Sequence, residues 1–531
     1  MRLRSPLCIP LAALATTLML AGCSDEGGGD PQATNTTDAQ TTADSDTTTA
    51  DSDTTADTVA DTTMPERCDP TATPFGGTVD IPNVGAVSLI CSPAQLDNLR
   101  TDPIGNFVLD ADIDLTGLPW TPIPEFQGVL SGQNHEIIGL SLDCSELKND
   151  GTPLGNCGFI RVLSNGGLLS DLRFSRVSTG IIGSGGTVAA FVKGAKTDDL
   201  GKATDTPAAV VQNVHVAGHV TVVGSSSGAL FRAILDGGQV HNVSFTGTLA
   251  WINTGVKANI GGITWRLQGT GRASEIAFRA TISAPGGAFV AGMVAEMTGT
   301  GALSDCVFDG TLTGQGDFGG LIGIHNGGEV TNCRVVGRFE AADSTFVGGF
   351  VNRFQLGSIA QSYVAADVGP GKAAVANPSA DINASDILYD DTLADDDLGV
   401  GLTTAEMQDP ANAAWDDFTS PPWTFVAGIY PTLAFEADIP DLALPPTFVC
   451  GTGTCLAGAE ACHETLTDCA PPHFSCAPGT SSGSVAACAA SDDPCDCLRP
   501  DNGQDWACDA SNADGHIRTS LVTTCEAAQA Q

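Results

Sequence analysis

Between about residue 155 and residue 370 the chain cycles through one order of apolar and polar positions. Small residues and glycine come first, then two or three apolar residues, a glycine-containing turn, and a short alternating strand that ends at another small residue. The clearest copies read FGGLIGIHNGGEVTNCRVVGRF from Phe318, FVAGMVAEMTGTGALSDCVFDGTL from Phe289 and FVGGFVNRFQLGSIAQSYVAADV from Phe346, with fainter ones near Ala190, Gly228 and Gly261. The small or apolar residue inside the second strand recurs as Val214, Val243, Ile276, Cys306, Cys333 and Ser362, an interval of about thirty residues that decides the architecture. Period-2 alternation, Gly, Asn and Asp turns and no helical periodicity predict two or three strands of about four to six residues per coil. The fold class is all-β: a right-handed parallel β-helix, or solenoid, of about 30-residue coils whose equivalent residues stack in ladders.

In that geometry inward positions are apolar or small, and Arg334, His241 and Glu275 point outward. Cys306 and Cys333 fall on neighbouring rungs. They read first as small buried hydrophobes of a core ladder, with a disulfide between rungs as the alternative; neither reading makes them catalytic.

The N-terminus has a different pattern. Arg2 and Arg4 precede an apolar run from Leu7 to Leu20, and small residues lead into Leu20-Ala21-Gly22-Cys23. This is the build of an export signal, and it resembles the lipobox of bacterial lipoproteins. The resemblance implies lipidation at Cys23, a mature chain starting there, attachment to the membrane through lipid and an extracytoplasmic location. Ser24 is not the aspartate that retains lipoproteins at an inner membrane, which points to the outer membrane or cell surface. Residues 24 to about 66 are almost entirely Asp, Thr, Ala, Ser and Gly, too polar to bury a core and self-repelling, so a disordered tether is expected. The divisions are therefore 1–22 signal peptide, 23–66 lipidated cysteine and tether, 67–437 solenoid with its opening and closing segments, and 438–531 a cysteine-rich module.

Charge narrows the partners. With 62 acidic and 22 basic side chains the net charge is −40, which excludes nucleic acid and argues against a polybasic membrane contact. Glycans or surface proteins are the expected ligands. Of the 18 cysteines, setting aside Cys8 and Cys23 leaves an even sixteen, as in an oxidising compartment. Cys68 with Cys91 and Cys144 with Cys157 are close enough in the chain for local bridges. Cys450, Cys455, Cys462, Cys469, Cys476, Cys488, Cys495, Cys497, Cys508 and Cys525 form a disulfide framework for a module too poor in apolar residues to fold by burial alone. Zinc at His463, Cys495 and Cys497 is the weaker reading, because paired C-x2-C knuckles are missing.

The solenoid copies look like GLUG-motif repeats, best at Gly320-Leu321-Ile322-Gly323 followed by Glu329-Val330-Thr331-Asn332-Cys333. Gly349-Phe350-Val351-Asn352 and Gly292-Met293-Val294-Ala295 keep shape more than letters. FVLDADIDLTGLPWTPIPEFQGVLSGQNHEIIGLSL, from Phe107 to Leu142, is similar to the opening segment of such proteins. LTTAEMQDPANAAWDDF and PPWTFVAGIYPTLAF, between Leu402 and Phe435, are similar to their closing segment. The resemblance covers roughly residues 85 to 437 and implies an adhesin-like surface lipoprotein. The module's first residues, CGTGTCLAGAEACHETLTDC, look like small cysteine-rich repeats of secreted bacterial proteins, with Thr452 in place of an aspartate.

Catalytic signatures are sparse. No His-Glu-x-x-His follows His135-Glu136, and no Gly-x-Ser-x-Gly elbow occurs. Asp112 and Asp114 alternate with Ile113 and Leu115 as a solvated strand edge. Asp390, Asp391, Asp395, Asp396 and Asp397 lack the spacing of a calcium loop and read as a solvated loop. No catalytic residue, metal or cofactor is assigned. The main expectation is a non-enzymatic binding or adhesion module. A polysaccharide lyase or hydrolase on a β-helix is the alternative, with Arg334, Arg338 and Arg353 as its nearest cations and no fixed acidic partner for them. A stalk or scaffold subunit is the third reading.

Overall fold

The computed structural model describes residues 68–450 except 82–84, 145–155, 195–206, 225, 253–257, 342–345, 370–371, 377–382, 395–397 and 419–421. Beyond them it describes only the backbone of strands at 453–456, 460–467, 470–478, 506–509 and 518–523. Cys23 and the tether lie outside the described residues.

The repeat is a parallel β-solenoid of about seven turns with coils of about 29 residues. Pairing continues from rung to rung, with local register shifts between Phe174 and Val177, Ala284 and Ala288, and His325 and Glu329. Phe107, Leu130, Leu169, Val211, Val240, Ala273, Leu303, Val330, Ile359 and Ala384 pair successively on the first sheet. All but Ala384 are buried. On the second sheet Phe174, Val216, Phe245, Phe278, Phe308, Val335 and Val364 form the matching ladder. The Phe245 and Phe278 rings stack there at 4.9 Å, with Phe278 and Phe308 next at 6.3 Å. The third sheet stacks Ile160, Ala189, Phe231, Thr264, Val294, Ile322 and Val351.

The strands are longer than the four to six residues expected. Val210–Gly224, Gln239–Ile252, Arg272–Ala291 and Ala302–Gly319 each run across a corner without breaking. The reason is one residue per coil. Asp171, Asn213, Asn242, Glu275, Asp305, Asn332, Gln361 and Asp386 all have φ between 47 and 54°, a left-handed conformation that short polar side chains tolerate. It turns the chain by one corner while the ladder continues. Several of these side chains also bond along the corner: Asn213 Nδ2 donates to Asp171 Oδ1 at 2.8 Å, Asn242 Nδ2 to Asn213 Oδ1 at 3.0 Å, and Asn332 Nδ2 to Asp305 Oδ1 at 3.1 Å. The residue after each pivot is the core position that marks the period, from Val214 to Ser362.

A second corner explains the glycine pairs. A Cβ placed on Gly262, Gly292, Gly320 or Gly349 would come within 1.9, 2.0, 1.9 or 2.1 Å of a carbonyl oxygen of the next coil. In the stretch from Gly320 to Gly323, Gly320 makes that approach, and Leu321 and Ile322 are core.

Cys306 and Cys333 are paired rung neighbours and form a disulfide, Cα to Cα 4.5 Å. The reading of two unlinked core hydrophobes is thereby corrected: parallel register brings the two Sγ atoms together inside the core, where both are fully buried. Cys68–Cys91 and Cys144–Cys157 are also bridged.

At the start, the hairpin Thr78–Ile81 and Gly85–Ile90 is antiparallel and leads into the first parallel pairing with Asn106–Leu109. The short helix Pro93–Asp97 is capped by Ser92, and the buried Gln95 amide ties Asp69, Ala72 and Cys91 together. At the end, Thr404–Met407, Ala413–Trp415 and the pair Trp423–Thr424 with Thr432–Leu433 fold against the outer face of the second sheet. There Met407, Trp415, Phe418, Trp423 and Leu433 pack on Ala277, Val307, Tyr363 and Leu388. The chain then runs back along the solenoid, and the Ala443 carbonyl accepts from Arg176 N at 2.7 Å.

In the C-terminal region Glu460–Thr467 lies between Ala470–Pro478 and Arg518–Thr523, with Cys462 opposite Cys476 in register. Cys450, Cys455 and Cys508 are described only as backbone, and Cys469, Cys488, Cys495, Cys497 and Cys525 lie outside the described residues.

Candidate binding face

Two of the residues considered for chemistry turn out to be structural joints. Arg334 is an outward position of its coil, yet it is buried beneath the closing segment. Its Nε and Nη2 donate to Glu436 Oε1 and Oε2 at 3.0 and 2.6 Å, while Arg279 Nη2 and Leu433 N reach the same carboxylate at 2.9 and 2.8 Å. Burial opposes ionisation of Glu436, and these donors outweigh it, holding the carboxyl below its usual range. Asp390 is the second joint. It is buried and not part of a solvated loop, because Thr392, Thr404 and Tyr430 all donate to it. Burial, and then the bond to Asp390, pushes the Tyr430 phenol up to about 12. Asp395, Asp396 and Asp397 lie outside the described residues.

The other expected positions are placed as follows. Asp112 accepts from His135 Nδ1 at 3.1 Å and Glu136 N at 2.9 Å, and Asp114 accepts from Thr116 N at 2.8 Å. Both lie at the surface, as their alternation with buried Ile113 predicts. Arg353 Nη2 meets Asp317 Oδ2 at 2.9 Å, and Arg338 Nε is 3.3 Å from Glu340 and 3.9 Å from Asp367. The expectation that Arg334, Arg338 and Arg353 lack acidic partners is corrected in all three cases. His241 is exposed, with Ser274 at 3.0 Å and Glu275 at 3.3 Å. Among the described residues no three His, Cys, Asp or Glu side chains converge as metal ligands.

The third sheet holds an array that sequence reading missed. Successive rungs pair Phe191 with Ala233, Ala233 with Arg266, and Arg266 with Glu296, which sets Arg232 beside Trp265. The Arg232 guanidinium lies 5.1 Å from the Phe191 ring and 5.2 Å from Trp265; Arg266 lies 4.3 Å from Trp265 and Lys193 5.3 Å from Phe191. Arg266 also binds Glu296 at 2.6 Å. Farther along, Arg353 sits 4.7 Å from Phe289 and 5.5 Å from Phe346. Each such contact contributes about 0.5–1 kcal/mol at a half-exposed site, and together they hold flexible side chains flat on the sheet. The signal in the sequence was the near-coil interval between Arg232 and Trp265. Register alone could show that they touch.

The fold and this face define a β-solenoid with a series of cation–aromatic contacts along one side. No protein-family profile and no curated protein matches the chain. The likeness to GLUG repeats therefore rests on the residues that carry it.

Proposed function

We propose that this protein is a lipid-anchored, extracytoplasmic solenoid that binds an extended polymer at the cell surface, with the third sheet as its contact face. The observation that carries the reading is the ordered row of Lys193, Arg232, Arg266 and Arg353 against Phe191, Trp265, Phe289 and Phe346, on a chain whose net charge is −40. Cations placed on several rungs of one sheet provide a platform for an extended ligand, and aromatic backing reduces the rotamer entropy lost on binding. The lipobox-like segment ending at Cys23 and the acidic tether support display away from the membrane.

The test is to incubate the purified full chain, in detergent, with labelled polysaccharides and matrix proteins, reading both retention and polymer length. Retention with unchanged length is expected, and shortened product would replace this reading with the enzymatic one. In cells, Cys23→Ser is expected to move the protein from the membrane to the soluble fraction. Unchanged membrane association would overturn the anchor.

A further inference from the structure

We propose that Lys193 and Arg232 form an anion subsite for the carboxylate or sulfate-ester groups of an acidic polysaccharide lying along the third sheet. The inference rests on the polymer-binding reading above and gives the polymer its charge. Carboxylates outnumber basic groups 62 to 22 in this chain. Arg100, Arg266, Arg279, Arg334, Arg338 and Arg353 each meet one within 4.0 Å. Among the described residues, Arg232 and Lys193, like Arg173, Arg176 and Arg272, meet none; Arg232 and Lys193 are the two of these that converge on one aromatic ring.

Arg232 is half-buried between two rings, and Nη1 donates to Asn156 Oδ1. Its Nε is buried with no hydrogen-bond partner among the described residues. Burial and the like charge of Arg266 one rung on both push its pKa below the ordinary arginine value. Lys193, two residues on in the same strand, adds a second cation to the Phe191 ring that Arg232 reaches from the neighbouring rung. A half-buried cation lacking a counter-ion is costly, and a bound anion relieves that cost. With Nη1 engaged by Asn156 and Nε buried, Nη2 is the guanidinium nitrogen left to donate to a carboxylate or sulfate oxygen.

The spacing favours a sugar polymer over nucleic acid. Lys193, Arg232 and Arg266 lie on three successive rungs, about 4.8 Å apart, an interval that suits charges borne by successive sugar rings. A duplex with one charge per about 1.7 Å of axis is repelled by the rest of this anionic surface.

The experiment measures binding of the full chain to alginate, dextran sulfate and neutral dextran. The wild type is expected to retain alginate or dextran sulfate at least about tenfold better than dextran, and the preference should weaken as salt rises from about 50 to 500 mM. Carboxylate and sulfate sources are separated by which acidic polymer is held. Lys193→Gln and Arg232→Gln are each expected to weaken retention about fivefold or more, while Arg338→Gln, remote from the subsite, has no effect. If Arg232→Gln lowers thermal stability, Lys193→Gln decides alone, because it leaves the Phe191–Arg232–Trp265 stack intact. Undiminished retention in the Lys193→Gln protein, or a preference for neutral dextran, overturns the subsite and leaves the polymer-binding reading standing. Retention of no polysaccharide or matrix protein at all overturns both.

Discussion

Arg334 and Glu436, 102 residues apart in the chain, meet in a two-pronged buried pair with contacts of 3.0 and 2.6 Å. The pair clamps the segment that follows the last coil onto the solenoid's flank, and Arg279, two rungs away, shares the same carboxylate.

Glu436→Ala is expected to destabilise the protein by about 3–5 kcal/mol, because it leaves a buried guanidinium uncompensated. Arg334→Met with Glu436→Leu should recover most of that loss. Chemical denaturation compares the three, and an unchanged midpoint for Glu436→Ala would show that the clamp contributes little. Since the folded carboxyl titrates below its ordinary value, its contribution is present above about pH 4.5 and fades as pH falls through the folded value.

His325 occupies a core ladder position between Met297 and Phe354 and is fully buried, with the Gly328 backbone as the polar group that acts on its ring. Burial pushes its pKa down to about 4. An unfolded chain therefore takes up this proton first as pH falls. Stability is full above about pH 6.5 and is lost progressively toward pH 4, by about 3 kcal/mol in all. His325→Met is expected to flatten that part of the pH dependence and to raise the melting temperature at neutral pH. A variant whose pH profile matched the wild type would show that His325 is not the source.

Gly320→Ala tests the tight corner. The added methyl would stand 1.9 Å from the Gly349 carbonyl oxygen and 2.7 Å from the Phe339 ring, so a backbone shift is unavoidable. A loss of several kcal/mol is expected. By contrast Gly180→Ala, with nothing within 4 Å, should be nearly neutral. Equal melting temperatures for the two variants would contradict the close approach.

Cys306 and Cys333 close a loop of 27 residues inside the core. Replacing both by alanine is expected to cost about 3–4 kcal/mol by relaxing the unfolded chain. Because both are shielded from solvent, alkylation with reductant should label them only after denaturation. Labelling under native conditions would show that this core opens.

Some of this architecture could be read from the chain directly. The thirty-residue interval from Val214 to Ser362 and the alternation within each copy identified a parallel solenoid, since side-chain direction in a strand follows residue number with period two. The proximity of Cys68 to Cys91 and of Cys144 to Cys157 supplied two correct bridges by short separation alone. The polar residue just before each marker, such as Asn213 or Asn332, was visible as a letter. Its role as a left-handed pivot that lengthens the strands was not.

What the sequence by itself determined is therefore the repeat, its period and the inward side of its coils, all set by local order. Tertiary structure decided everything that depends on which coil lies next to which, or on what returns to cover a face. Register turned Cys306 and Cys333 from hydrophobes into a bridge and brought Arg232 against Trp265. The closing segment, folding back over the second sheet, converted Arg334 from an outward side chain into a buried one. The physical reason is that a solenoid's surface chemistry is written across rungs, where neighbours in space are about thirty residues apart in the chain and no local pattern records whether a partner covers them.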